Sequence, residues 1–235
     1  MKGEFSSFRK EIKYVIPVAQ VPDIKRCLES LLQRDNYCKG DSYSVRSLYF
    51  ESVNNIDFAQ KLAGIDVRKK VRMRTYNGDA SLCKLELKKK MGDWQHKQSL
   101  ILSREDAEAL SVGSYEVLTK YFQDSETGVS AYNILKSGGY RPVVMIEYDR
   151  LAYQYPLYDI RVTLDMNVRS SEANLDIFSP RINYTPIMYE EAVLEIKYSG
   201  KCMGFLRDAL SRFDLTQSSY SKYCSGRMNY YDFNY

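Results

Sequence analysis

Along five segments of this chain, charged side chains take alternate positions with mostly apolar residues between them. Arg72 and Arg74 flank Met73, Glu86 and Lys88 flank Leu87, and Glu195 and Lys197 flank Ile196. The spacing recurs in Arg9, Glu11 and Lys13, and in Arg161, Thr163 and Asp165. Side chains on a β-strand alternate between its two faces, so each set lies on one side of an extended strand. Strands of this kind build one ionic surface and one apolar surface. If the sheet closes into a barrel with helices over the apolar face, the ionic surface becomes a polar tunnel, suited to a polyanion rather than an apolar ligand. Alternation alone also fits an open sheet with one charged face.

Composition narrows the classes. The 235 residues are 44% hydrophobic and 27% charged, with 6 Pro and 12 Gly, and this length suits a single α+β or barrel domain, residues 1–235, with a sizeable core. A net charge of +4 from 34 basic and 30 acidic side chains is too small to argue for general nucleic-acid or membrane binding, so the basic groups must act locally. Cys27, Cys38, Cys83, Cys202 and Cys224 are scattered, odd in number and without a CxxC pair, which points to neither a disulfide framework nor a zinc site. The N-terminus carries no apolar h-region, and no stretch approaches the roughly 18 apolar residues of a membrane span. A cytoplasmic setting is the default expectation. His96 is the single histidine, which excludes His-based metal clusters and leaves one position for a His-activated nucleophile; beside Lys97 it reads as a surface residue.

The chain order of elements follows from periodicity and breakers. A strand over Phe8 to Ile16 precedes an amphipathic helix carrying Val21, Ile24, Leu28, Leu31 and Leu32 at helical spacing, with Pro22 near its start. A strand over Tyr43 to Phe50 leads to a short helix near Asn54 to Leu62. Asn77-Gly78 is a hairpin-turn pair and predicts that Val67 to Tyr76 pairs with Ser81 to Lys90. Gln98 to Leu102 reads as a further strand, Ser103-Arg-Glu-Asp106 as a capping box, and Ser103 to Leu135 as helical. After Gly138-Gly139, Pro142 to Tyr153 and Tyr158 to Val168 form a second hairpin around Pro156, and Glu172 to Pro186 reads as a loop. A strand near Tyr189 to Ser199 and two helices close the chain, the first over Met203 to Phe213 with a core stripe of Phe205, Leu206, Ala209, Leu210 and Phe213.

Arg-x-Arg and Glu-x-Lys place side chains about 7 Å apart along a strand, a spacing that suits successive phosphates. Arginine offers a rigid fork to phosphate oxygens, lysine a compact charge, and a neighbouring carboxylate can hold Mg²⁺ or Mn²⁺ against the same oxygens. The same residues carry a family resemblance over nearly the whole chain. Phe8-Arg-Lys-Glu-Ile-Lys-Tyr14, Val45-Arg-Ser-Leu-Tyr-Phe-Glu51, Lys70-Val-Arg-Met-Arg-Thr-Tyr76 and Leu85-Glu-Leu-Lys-Lys-Lys90 are followed by Arg141-Pro142, Tyr148-Asp-Arg-Leu-Ala-Tyr153, Arg161-Val-Thr-Leu-Asp165, Leu194-Glu-Ile-Lys197 and Ser219-Tyr-Ser-Lys-Tyr223. In this order they resemble the VTC-type polyphosphate polymerase domain of the triphosphate tunnel metalloenzyme superfamily.

The resemblance implies an eight-stranded antiparallel tunnel with flanking helices that binds a nucleoside triphosphate and Mn²⁺ or Mg²⁺ and transfers the γ-phosphoryl group of ATP to a growing polyphosphate chain. By position, it implies that Lys13, Arg72, Arg74, Lys88, Arg161, Lys197, Ser221 and Lys222 line the tunnel as phosphate ligands. Glu195 is the implied metal carboxylate, Glu11 a second one or a partner for Lys13, and Glu147 a weaker candidate because Pro142 blurs its strand register. Tunnel triphosphatases resemble one another in an N-terminal Glu-x-Glu-x-Lys, whereas here Arg9 replaces the first carboxylate. That departure fits a polymerase-type tunnel better than a two-metal hydrolase.

Bland readings compete at some positions. Lys88, Lys89 and Lys90 form a run of the kind that solvates a strand edge, and Ser221 is a natural helix cap. Tyr14, Tyr76 and Tyr223 read as wall or core residues. Two other functions fit the same charges: hydrolysis of inorganic or nucleoside triphosphate, and non-catalytic polyphosphate binding. Nucleic acid is not expected as a partner, because the basic faces are interrupted by acids and no recognised motif is present.

Overall fold

The computed structural model describes residues 4–38, 40–79, 81–155, 159–200 and 204–231. Its strands are β1 (Glu4–Pro17), β2 (Gln33–Arg34), β3 (Tyr43–Glu51), β4 (Arg68–Tyr76), β5 (Cys83–Met91), β6 (Trp94–Leu102), β7 (Arg141–Tyr155), β8 (Ile160–Ser171), β9 (Thr185–Pro186) and β10 (Glu191–Tyr198). All pairings are antiparallel. Eight strands run in the order β7-β3-β4-β5-β6-β1-β10-β8, and β7 pairs with β8 from Met145↔Ser171 to Tyr155↔Ile160. That last pairing closes the ring and makes the sheet a barrel. The two-residue strands β2 and β9 continue the edges of β7 and β8 where their ring partners end.

Alternation then assigns the faces. Val71 and Met73 of β4, Leu85 and Leu87 of β5 and Leu100 of β6 point outward and are buried with residues of α3 (Arg104–Ser111), α4 (Glu126–Ser137) and the 3₁₀ turn Tyr115–Tyr121. On the other side, Ile16, Val162, Leu164, Leu194 and Ile196 meet Ile24 and Leu28 of α1 (Val21–Leu31) and Leu206 and Leu210 of α5 (Gly204–Leu210). Each such side chain stabilises the fold by about 1.5–3 kcal/mol of transfer free energy, so the apolar face supplies the core and leaves the inner face free for charge. Helix starts follow local chemistry: Ser103 Oγ accepts from the Asp106 N–H at 3.1 Å, and Ser125 Oγ from the Gly128 N–H at 3.0 Å. Asn77 and Gly78, with φ of 52° and 67°, form a left-handed turn closed by the Asp79 N–H to the Tyr76 carbonyl at 2.8 Å, and this turn opens the six-residue connection between β4 and β5.

Several boundaries differ from those read in the sequence. β1 starts at Glu4 because its first residues pair with β6, and β6 itself starts at Trp94. Gln95, His96 and Lys97 hid that start, since the cavity takes polar residues on one side and no helix buries the other. The helical stretch after Ser103 is interrupted by the 3₁₀ turn. α5 ends at Leu210 rather than Phe213. Pro156, Tyr158, Cys202 and Met203 lie outside the described residues. His96 is half-buried rather than free on the surface, stacked on Phe8 at 4.0 Å between centroids. No helix among the described residues is long and apolar enough to cross a membrane.

Two features shape the interior. β1 pairs with β6 through Glu4–Lys10 and with β10 through Lys10–Pro17, so its second half has an edge that β6 does not cover. Residues 217 and 218 take that edge: Gln217 bridges Tyr14, and the Ser218 N–H donates to the Lys13 carbonyl at 2.8 Å. α6 (Lys222–Tyr231) then enters the barrel against β7 and β8. Tyr223 stacks on Tyr49 of β3 at 5.1 Å, meets Phe58 of α2 (Ile56–Leu62) edge-on, and donates its hydroxyl to buried Glu51. Glu51 also accepts from the Asp57 and Phe58 N–H groups, tying the α2 start to the same point. A Cβ on Gly226 would lie 2.4 Å from Ile146 Cδ1 and 3.3 Å from Ser170 Cβ, so glycine lets α6 seat this deeply.

Candidate functional site

Inside the barrel lies a cavity of about 580 Å³ whose wall carries thirteen lysine and arginine side chains against three carboxylates, Glu11, Asp93 and Glu195. More than a third of the 34 basic residues therefore face one space. β4 and β5 supply much of it, because Arg68, Lys70, Arg72 and Arg74 share one face, and their neighbours across the ladder are Lys90, Lys88, Glu86 and Lys84.

The deepest group is a buried arginine layer. Arg72 donates to Glu86 from Nε at 2.7 Å and to Tyr49 Oη at 2.9 Å, while Arg74 donates to Ser47 Oγ at 3.0 Å and Tyr148 Oη at 3.1 Å. Burial alone would raise the Glu86 carboxyl, but Arg72, Arg74 and Lys97 outweigh it and hold it well below the usual range. Arg150 of β7 forks onto Asp165 at 2.6 and 2.8 Å and reaches within 3.8 Å of Glu195. Lys222, at the start of α6, donates to Asp165 at 2.6 Å and lies over the Tyr148 ring.

A second group surrounds two carboxylates. Lys13 pairs with Glu11 at 2.9 Å, Lys88 with Glu11 at 3.4 Å, and Lys197 with Glu195 at 3.0 Å and Glu11 at 3.8 Å. Burial raises both carboxyls and the lysines lower them, with a net lowering for each. For Lys197 burial prevails over both carboxylates and brings the ammonium down to about 7. Lys70 has Ser221 Oγ as acceptor at 2.8 Å and the Tyr223 ring at 5.4 Å, with no carboxylate in ion-pair range among the described residues; burial lowers it to about 8. Burial raises the Tyr49 phenol, but the charges of Arg72, Arg74 and Lys70 overcome this and bring it to about 8. Depressed lysines and a depressed phenol mark an interior with more positive charge than its own acids neutralise, a site that an anion completes.

The same chemistry tests whether a divalent cation fits. Glu11 and Glu195 lie together, both within 4 Å of the Lys197 ammonium, at 3.8 and 3.0 Å. Two buried carboxylates suit Mg²⁺ or Mn²⁺. No group of three or more His, Cys, Asp or Glu among the described residues could hold a metal, so phosphate oxygens and water would complete the coordination.

Of the residues read from the sequence, Glu11, Lys13, Arg72, Arg74, Lys88, Glu195, Lys197, Ser221 and Lys222 share this cavity. Ser221 caps α6, accepting from the Cys224 N–H at 3.3 Å, and its Oγ also accepts from Lys70 on the cavity wall. Arg161 is not on the cavity wall. It is the second residue of β8, at the rim, where it pairs with Asp35 at 2.6 Å and donates to Tyr43 Oη at 3.0 Å. Glu147 faces outward to Arg46, Arg169 and Tyr184. Arg9 pairs with Asp159 at 2.6 Å instead of facing the carboxylate pair. Lys70 and Arg150 were missed. Lys70 has the face parity of Arg72 and Arg74, a signal present in the sequence. Arg150 keeps the inward parity of Tyr148, and the extra residue of the β7–β8 register shift lies on β8 between Met166 and Arg169; its neighbour Asp149 is charged as well, so charge alternation does not single out the inner position.

Comparison with known proteins agrees with this geometry. The VTC domain family profile matches residues 8–231. Among solved structures, a proposed adenylate cyclase from Bacillus halodurans shares 16% identity at a TM-score of 0.52, with 92% of this chain and 95% of that chain covered. A proposed adenylyl cyclase from Hippeastrum, in which a triphosphatase activity dominates, shares 13% identity at a TM-score of 0.54, with 94% and 95% covered. No curated protein sequence matches the chain. With a closed eight-stranded barrel around a basic cavity and a family match over almost its full length, this chain belongs to the VTC domain family and has the triphosphate tunnel fold.

Proposed function

We propose that the protein is a metal-dependent polyphosphate polymerase that transfers the γ-phosphoryl group of ATP to the end of a growing polyphosphate chain. The observation that carries this reading is the enclosed wall of thirteen cations against three carboxylates, which contains no histidine or cysteine among the described residues. Such a wall binds and orients phosphates, and the nucleophile comes from the substrate. A terminal oxygen of the chain attacks the γ-phosphorus, the bond from γ-phosphorus to the β,γ-bridging oxygen breaks, and ADP leaves with that oxygen.

Arg72, Arg74 and Arg150, fixed in place by Glu86, Ser47 and Asp165, present their positive charge to the phosphates and offset charge on the transferred group. Lys13, Lys88, Lys197 and Lys222 neutralise the chain on either side. Glu11 and Glu195 would hold the Mn²⁺ or Mg²⁺, whose charge would offset that of the phosphates. Arg161 has no part in this assignment. Arg9 in place of a third carboxylate, together with the family match, favours polymer formation over triphosphate hydrolysis. A cytoplasmic location with its ATP supply, and one domain over residues 1–235, belong to the same proposal.

The test incubates purified protein with ATP and Mn²⁺ or Mg²⁺ and resolves phosphorus species by ³¹P NMR. Internal chain phosphates are the expected product. Orthophosphate as sole product would make it a tunnel triphosphatase, and no turnover with retained polyphosphate binding would make it a binding module.

A further inference from the structure

The ladder between β4 and β5 contains three successive pairs of like charge directly opposed: Lys70↔Lys88, Lys69↔Lys89 and Arg68↔Lys90. Directly opposed like charges weaken a sheet unless something neutralises them. Lys69, at the edge of the cavity, pairs with Asp57 of α2 at 3.1 Å. Lys70 and Lys88 face inward and are engaged by Ser221 and Glu11. Arg68 and Lys90 also face inward, two strand residues nearer the mouth, a step of about 7 Å. Lys61, in the last turn of α2, faces them across the mouth. Burial lowers the Lys61 ammonium, and the charges of Arg68, Lys13 and Lys90 lower it further. Among the described residues no carboxylate pairs with Lys61, Arg68 or Lys90, including Asp93 on the same stretch of wall.

We propose that Lys61, Arg68 and Lys90 form an outer anion subsite that holds the polyphosphate chain beyond the phosphoryl-transfer centre. The inference rests on the polymerase reading of the cavity, and it gives that reading a direction. A chain leaving the Arg72 and Arg74 layer passes Lys70 and Lys88 and then reaches these three cations, all half-buried and therefore less screened than free surface lysines. A triphosphate engaged at the inner groups is too short to fill both sets. The subsite thus separates long chains from short ones and keeps a chain attached between successive transfers.

The experiment compares binding of tripolyphosphate and of long-chain polyphosphate to the full chain, by calorimetry without metal. The wild type is set against the combined variant Lys61→Gln, Arg68→Gln, Lys90→Gln. A charge-matched control, Lys25→Gln, Lys120→Gln, Lys136→Gln, removes three surface cations elsewhere, and melting curves of all three proteins establish folding. The subsite predicts that the mouth variant loses roughly tenfold or more in long-chain affinity, with a smaller loss for tripolyphosphate and a shallower salt dependence for the long chain. The control keeps the length preference. Equal losses for both ligands, no loss for either, or the same loss in the control would overturn the proposal. Because the readout is binding, a wild type that makes no polymer but shows this length-selective loss would refute the polymerase and leave the subsite standing.

Discussion

Arg150 and Arg161 share a charge and sit on the neighbouring strands β7 and β8, yet only Arg150 is buried with its guanidinium between Asp165 and Glu195. Arg150→Ala is therefore expected to lower turnover by roughly 10²–10³-fold, and Arg161→Ala to leave it near wild type, in the same steady-state assay. The reverse order would contradict the placement of the phosphate ligands. Lys70 and Tyr49, both near 8 in the empty cavity, give a pH prediction. Bound polyphosphate favours the protonated form of each, so binding at pH 8 takes up protons and affinity falls as pH rises through 8. Calorimetry in buffers of different ionisation enthalpy reads the uptake, and heats independent of buffer would rule it out. At this scale the sequence was legible where alternation is regular. Lys13, Arg72, Arg74, Lys88 and Lys197 stand at alternate positions of regular strands, whereas Arg150 adjoins a second charged residue, Asp149, and Arg161 falls at a strand start.

α6 is the element on which the cavity depends, since it brings Ser221 and Lys222 to the wall and fills the barrel with Tyr223. Gly226→Ala places a methyl against Ile146, which is fully buried and has no free direction to yield. Such overpacking is expected to destabilise the protein by about 1–3 kcal/mol, read as a lower urea midpoint, with weaker polyanion binding as Lys222 shifts. An unchanged midpoint would show that α6 does not seat at this depth. The helix itself was foreseeable from its position, but its burial was not, because a Tyr-rich segment with weak amphipathicity gives no sign of lying inside a barrel. β6 shows the complementary failure: Gln95 and Lys97 face a polar cavity, so the apolar signal of a strand is missing over its first half.

For the whole molecule, a net charge of +4 conceals a strongly basic cavity wall within a remainder that carries more acidic than basic side chains. Polyphosphate affinity is expected to fall steeply with added salt, while the melting temperature of the free protein, which rests on apolar clusters outside the barrel, changes little. Comparable sensitivity of both would place the charge on the surface instead. Barrel closure could not be read from the segments, because it rests on β7–β8 pairing, a relation between strands rather than a property of either. The resemblance supplied the strand count that alternation lacked. The account as a whole stands on phosphoryl transfer to a chain end, and the most direct measurement follows ATP labelled in its γ-phosphoryl group. Label is predicted to enter lengthening polyphosphate with one ADP released per unit added, and both to be lost together in Arg74→Ala and Glu195→Ala. Label recovered wholly as orthophosphate would contradict it.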